Sequence, residues 1–121
     1  MANILIVDDS NSMRQMVSFT LKQAGGHTLT ESADGQQGLQ AVKSQQFDLI
    51  ITDMNMPNMD GMEFAKAVRA RKEYKFTPIL VLTTESSPEV KQQGREVGVT
   101  GWIVKPFNPD QLGTVVKKVL A

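Results

Sequence analysis

Three aspartates, a threonine and a lysine carry the chemistry this chain could perform. Asp8 and Asp9 follow the apolar run Asn3-Ile4-Leu5-Ile6-Val7, and Asp53 follows Leu49-Ile50-Ile51-Thr52. Thr83-Thr84-Glu85 and Lys105 close two further apolar runs. Three carboxylates brought together repel one another unless a cation sits among them. Magnesium takes oxygen ligands in octahedral geometry, often only a few from protein and the rest from water. Two or three carboxylates and one backbone carbonyl would meet that demand. Asp53 could attack a phosphorus atom and become an acyl phosphate. Lys105 could pair with one phosphoryl oxygen as a compact positive charge, and the Thr83 hydroxyl could donate to another. Such a transfer rests on positioning and charge neutralisation.

These residues converge only if the elements carrying them do. The apolar runs are short and rich in β-branched residues, which reads as buried strands. Five strand signals alternate with five helix signals, the pattern of a parallel sheet with helices on both faces. Strands are expected at Asn3 to Val7, His27 to Ser32, Asp48 to Thr52, Pro78 to Leu82 and Thr100 to Val104. The second is polar and alternating, as an edge strand would be. Helix one carries Met13, Met16, Val17, Thr20, Leu21 and Ala24 at helical spacing, with Asn11 or Ser12 as its cap and Gly25-Gly26 at its end. Helix two follows Asp34-Gly35 and carries Leu39 and Val42, with Gly38 inside it. Asp60-Gly61-Met62-Glu63 has the form of a capping box, which starts helix three. Ser87-Pro88 and Asn108-Pro109 each place a cap before a proline at the first helical position, starting helices four and five. The fold class expected is α/β, a flavodoxin-like (βα)5 doubly wound five-stranded sheet in order 2-1-3-4-5. That order gathers the polar residues at the ends of strands one, three, four and five beside the point where it reverses.

Composition narrows the function classes. The chain has 121 residues, 40% of them hydrophobic, which suits one domain. Helix five reaches the last residue, so a single domain over residues 1–121 with no output domain is expected. Thirteen basic and thirteen acidic residues balance, giving no sign of nucleic-acid or membrane-surface binding. No apolar run is long enough to span a membrane, and no basic leader precedes strand one. With no cysteine, thiolate chemistry and disulfides are excluded, which fits a cytoplasmic protein. A monomer is the default, since no large apolar stripe is left unassigned to the core.

The spaced signature Asp8-Asp9, then Asp53-Met54-Asn55-Met56-Pro57-Asn58-Met59-Asp60-Gly61, then Thr83, then Lys105-Pro106 resembles the receiver domain of two-component signalling. The resemblance runs from Asn3 to Leu120. It implies that Asp53 is the phospho-acceptor, that Asp8, Asp9, Asp53 and the Asn55 carbonyl bind Mg²⁺, and that Thr83 and Lys105 contact the phosphoryl group. It also implies a cis peptide at Lys105-Pro106, and a tuning of acyl-phosphate hydrolysis by Asn55 and Glu85. The family's aromatic switch position, often tyrosine, corresponds to Trp102, which is bulkier and lacks the hydroxyl. Asp9-Ser10-Asn11-Ser12-Met13-Arg14 and the expected single-domain organisation are similar to single-domain chemotaxis regulators of the CheY type. The implied partners are a CheA-like histidine kinase, a phosphatase and the flagellar motor switch or another target. The implied activity is limited to the chain's own phosphorylation and dephosphorylation.

Other readings compete. A Mg²⁺-dependent aspartyl phosphohydrolase commonly carries Asp-x-Asp after strand one, whereas this chain has a doublet and no inserted cap domain. A flavodoxin-like nucleotide binder would need a glycine-rich phosphate loop, and Asp8 to Met13 contains no glycine. A single-domain receiver with a non-chemotaxis partner, or one acting as a phosphate sink, differs only in what it contacts. Met54, Met56, Met59 and Met62 read as loop packing rather than a soft metal site. His27 reads as a surface side chain on the edge strand. Lys117 and Lys118 read first as favourable charges at a helix C-terminus.

Overall fold

The computed structural model describes residues 2–84 and 87–121. Its strands are β1 (Asn3–Val7), β2 (Thr28–Ser32), β3 (Leu49–Asp53), β4 (Ile79–Thr83) and β5 (Gly101–Val104). Its helices are α1 (Asn11–Ala24), α2 (Gly35–Ser44), α3 (Gly61–Arg69), α4 (Pro88–Val97) and α5 (Pro109–Leu120). A 3₁₀ turn over Lys72–Tyr74, which the sequence pattern did not announce, joins α3 to β4. All strand pairs are parallel, in the order β2-β1-β3-β4-β5. The expected doubly wound architecture is the observed one. Among the described residues, no helix is long and apolar enough to cross a membrane.

Side-chain alternation splits the core into two layers. Ile4, Ile6, Leu49, Ile51, Leu80, Leu82 and Ile103 point to the face covered by Val17 and Leu21 of α1 and Leu112 and Val116 of α5. Leu5, Val7, Ile50, Ile79 and Val81 point to the other, covered by Val42, Phe64, Ala65 and Val68 of α2 and α3. Every residue of β3 and β4 is buried, so these two strands read as continuous apolar runs. β2 is a polar edge as expected, while β5, the opposite edge, is not polar.

Six strand boundaries sit one residue later than expected: β2, β3, β4 and β5 begin at Thr28, Leu49, Ile79 and Gly101, and β3 and β4 end at Asp53 and Thr83. Asp53 and Thr83 are therefore the last members of their ladders. The reason lies in the neighbouring strands: Asp53 pairs with Leu82 and Thr83 with Val104. The cap of α1 is also corrected. Ser10, rather than Asn11 or Ser12, holds extended backbone and accepts from the Met13 amide at 3.3 Å. The other cap assignments stand. The Asp60 carboxylate accepts from the Glu63 amide at 2.8 Å, and the Glu63 carboxylate accepts in return from the Asp60 amide at 3.1 Å. Gly38 inside α2 has a packing reason: a Cβ there would lie 2.8 Å from Phe64 Cε1 and 3.0 Å from Val7 Cγ2. His27 precedes β2 and is half-buried, with Nδ1 buried and unpartnered among the described residues, so it is not the surface side chain the pattern suggested.

Candidate functional site

Parallel pairing brings the carboxyl ends of β1, β3, β4 and β5 to one edge of the sheet. The order reverses between β1 and β3, and the crevice opens there. Asp8, Asp9 and Asp53 each present a carboxylate oxygen there, all three within 4.8 Å of one another. Asp8 and Asp53 are buried, at 1% and 4% exposure, and Asp9 is exposed. The Lys105 ammonium donates to Asp53 Oδ1, with both side chains largely shielded from water. The Lys105-Pro106 peptide is cis, and the Lys105 amide donates to the Thr83 carbonyl at 2.8 Å. Thr83 is fully buried at the end of β4.

The structure therefore brings Asp8, Asp9, Asp53 and Lys105 together and sets Thr83 on the adjacent strand end. Asn55 is exposed, two residues beyond Asp53. Glu85 lies outside the described residues. Trp102 is half-buried on β5 and, like Val90 and Val97 of α4, packs against the core cluster on that face, with its indole over Gly94 of α4. The methionines resolve as packing. Met56 and Met62 are buried, and Met54 and Met59 lie against the same cluster. Lys117 and Lys118 are exposed in the last turn of α5.

The acidic cluster has the donor set of a hard divalent cation. All candidate ligands are oxygens. Asp8 Oδ1 accepts from the Ser10 amide at 2.8 Å, while Asp8 Oδ2 is buried without a hydrogen-bond partner. Buried carboxylate oxygens are ordinarily satisfied. An orphaned oxygen on a carboxylate clustered with two others fits a place for a cation.

Asp8 shows the cost of this arrangement. Burial pushes its carboxyl from 3.8 up to about 6, with repulsion from Asp53 and Asp9 adding to it. The Ser10 amide and the Lys105 charge pull it partly back. The folded chain therefore holds the Asp8 proton more tightly than the unfolded chain does. The Asp8 contribution to stability is greatest below about pH 4, falls as pH rises toward about 6 and is level above. Asp8→Asn removes the ionisation and flattens that slope. Without divalent metal at pH 7.5, the variant should be more stable than wild type by about 1 kcal/mol, below the ceiling of roughly 3 set by the shift, since the amide must also be desolvated. Denaturant unfolding in EDTA from pH 4 to 8 measures this. A stability advantage of Asp8→Asn over wild type that does not grow from about pH 4 to about pH 6 would contradict it.

Arg14 is a residue that sequence reasoning recorded only as part of a motif. Its guanidinium donates to the Asp8 backbone carbonyl and is paired with Glu31 of β2, which stands seventeen residues away. The visible signal was a cation on the first turn of α1. Its partner became identifiable only once β2 lay beside β1.

Comparison with known proteins agrees with this geometry. The model of the response regulator receiver domain matches residues 4–117. Chemotaxis protein CheY-3 of Vibrio cholerae is 39% identical over 116 residues, covering 96% of this chain and 89% of that protein. Chemotaxis protein CheY of Pseudomonas aeruginosa is 36% identical, covering 96% and 94%. The solved structure of Vibrio cholerae CheY4 is 56% identical, covers 98% of both chains and superposes with a TM-score of 0.94. A receiver domain of a Pseudomonas aeruginosa sensor histidine kinase, 24% identical with a TM-score of 0.89 over 98% of this chain and 97% of that one, was solved with magnesium coordinated in its active-site cleft. With its family match across nearly the whole length and its acidic crevice at the switch point of the sheet, this chain belongs to the response regulator receiver domains of two-component signalling.

Proposed function

We propose that the chain is a phosphorylation-switched regulator. Asp53 accepts a phosphoryl group from a CheA-like histidine kinase, and the face formed by α4, β5 and α5 then presents an altered surface to a partner. The relatives named as chemotaxis proteins favour the flagellar motor switch as that partner. The observation carrying the reading is the Lys105 ammonium on the Asp53 carboxylate, beside two carboxylates of which one has an orphaned buried oxygen.

In the transfer, an Asp53 oxygen forms a bond to phosphorus while the bond from phosphorus to the donor breaks. The donor, a phosphohistidine nitrogen or the carboxylate of acetyl phosphate, leaves with the bonding pair. Asp8, Asp9, Asp53 and the Asn55 carbonyl would hold Mg²⁺, which supplies charge neutralisation for the incoming phosphoryl oxygens. Lys105 exchanges its contact with Asp53 for one phosphoryl oxygen, and Thr83 offers its hydroxyl to another. About two negative charges then stand in the crevice. Thr83 ends β4 and Trp102 sits on β5, so a movement of the hydroxyl toward the phosphoryl group reaches the α4 and β5 surface directly. That is a local charge event biasing a two-state element.

Intact-mass analysis after incubation with acetyl phosphate and Mg²⁺ tests the proposal. One added phosphoryl group is expected, and none in EDTA. An adduct that forms equally in EDTA would remove the metal from the mechanism. Steady release of phosphate from a simple phosphomonoester, with no adduct, would favour the phosphohydrolase reading instead.

A further inference from the structure

The Asp8-Asp9 turn is held from behind by a cation. Arg14 lies in the first turn of α1, with its side chain 15% exposed. One terminal nitrogen donates to the Asp8 backbone carbonyl, and the other donates to Asn11 Oδ1 at 3.1 Å. Its Nε donates to Glu31 Oε1 at 3.3 Å. The second Glu31 oxygen accepts from the Ser18 hydroxyl at 3.1 Å. The main chain closes the ring: the Arg14 amide donates to the Ser10 carbonyl at 3.0 Å, and the Ser10 amide donates to Asp8 Oδ1 at 2.8 Å. All three guanidinium nitrogens are thus engaged by the acidic turn, the start of α1 and the edge strand β2.

This placement runs against simple electrostatics. A guanidinium bonded to the carbonyl of Asp8 repels any cation that Asp8 is to hold. Two features resolve the conflict. The planar fork reaches three acceptors from three separate nitrogens in fixed directions, whereas a lysine ammonium has all its donors on one atom. Glu31 sets a negative charge against the guanidinium on the side formed by β2. We infer that Arg14 is a positioning residue of the cation site, orienting the Asp8-Asp9 turn, and that Glu31 is the counter-charge that lets it stand there. The inference rests on reading the acidic cluster as a Mg²⁺ site.

The experiment is calorimetric titration of the whole, metal-free chain with MgCl₂. Wild type is compared with Arg14→Met, Arg14→Lys and Glu31→Gln at low and moderate ionic strength. Charge and positioning predict opposite signs for Arg14→Met. Removing a nearby positive charge would tighten Mg²⁺ binding, whereas losing the clamp weakens it. The expected result is weakening by about tenfold, the scale of a lost outer-shell partner. Arg14→Lys keeps the charge and should weaken binding by a similar factor. Glu31→Gln uncovers the guanidinium and should weaken binding about threefold at low salt, with the loss shrinking as salt screens the charge. Unchanged or tighter binding in both Arg14 variants overturns the inference. Circular dichroism accompanies each titration, and if Arg14→Met fails to fold, Arg14→Lys and Glu31→Gln carry the test. Wild type that binds no Mg²⁺ overturns the reading of the site itself, which this design separates from failure of the clamp.

Discussion

Asp53→Asn should take up no phosphoryl group under conditions in which wild type is fully labelled. An amide offers no anionic oxygen to attack phosphorus. Neither neighbouring carboxylate replaces it. Asp8 is buried, bound to the Ser10 amide and pushed up to about 6, so a proton or a cation competes for its oxygen. Asp9 is exposed. Asp53 alone of the three carries the Lys105 ammonium, the charge that would meet the phosphoryl group. The variant should stay folded, because asparagine has nearly the shape of aspartate and the strand-end pairing with Leu82 is made by the main chain. Mg²⁺ affinity should fall as well, since one of three clustered oxygens becomes neutral. Intact mass after acetyl phosphate treatment, with circular dichroism as the folding control, decides it. A full adduct in folded Asp53→Asn would move the acceptor elsewhere and undo the proposed function.

Gly94→Ala should expel the Trp102 indole from its seat on α4. A Cβ at Gly94 would lie 2.1 Å from Trp102 Cζ2, 2.8 Å from Cη2 and 3.1 Å from Cε2. The ring is rigid and held by a strand, so it cannot give way by a few tenths of an ångström. Overpacking of this kind costs about 3 kcal/mol, while alanine regains about 1 kcal/mol of helix propensity over glycine. The net is a loss of about 2 kcal/mol, and the melting temperature should fall by several degrees. Trp102 is the sole tryptophan, so its emission reports the ring directly. A red shift and stronger quenching by acrylamide are expected. The contacts at risk belong to the distal six-membered ring of the indole. Trp102→Phe in the Gly94→Ala background lacks those atoms and should recover most of the stability. An unchanged spectrum with unchanged stability would show that α4 yields and the ring stays. On the proposed function, the pairing also bears on signalling. The large aromatic at position 102 is accommodated because the facing helix offers a glycine, so the resting position of Trp102 depends on a residue of α4.

Much of this molecule was legible from residue types. Apolar runs rich in β-branched residues announced the central strands, because strands buried on both faces need no polar alternation, and polar alternation announced the edge strand β2. Helical stripes, the Asp60 to Glu63 capping box and the two prolines placed the helices, because those signals act within one or two turns. Alternation of strand and helix implied the parallel order, and that order gathered Asp8, Asp9, Asp53, Thr83 and Lys105 at one edge.

What the sequence left open depends on residues far apart in the chain. Whether Asp53 and Thr83 end a strand or begin a loop was decided by Leu82 and Val104 on neighbouring strands. Ser10 won the cap of α1 because the turn of Asp8 and Asp9 gave it extended backbone, which composition alone could not rank against Asn11 or Ser12. The glycine at 38 inside a helix looked like a weakness until Phe64 and Val7 were seen against it. The same holds for Gly94 beneath Trp102. The upward shift of Asp8 comes from burial and from Asp53, forty-five positions away, and the role of Arg14 comes from Glu31 across the edge of the sheet. Types and local spacing determined the elements and the inventory of the site. Close approach, burial and charge pairing, which exist only once the sheet is assembled, decided the protonation of that site, its support and its steric limits.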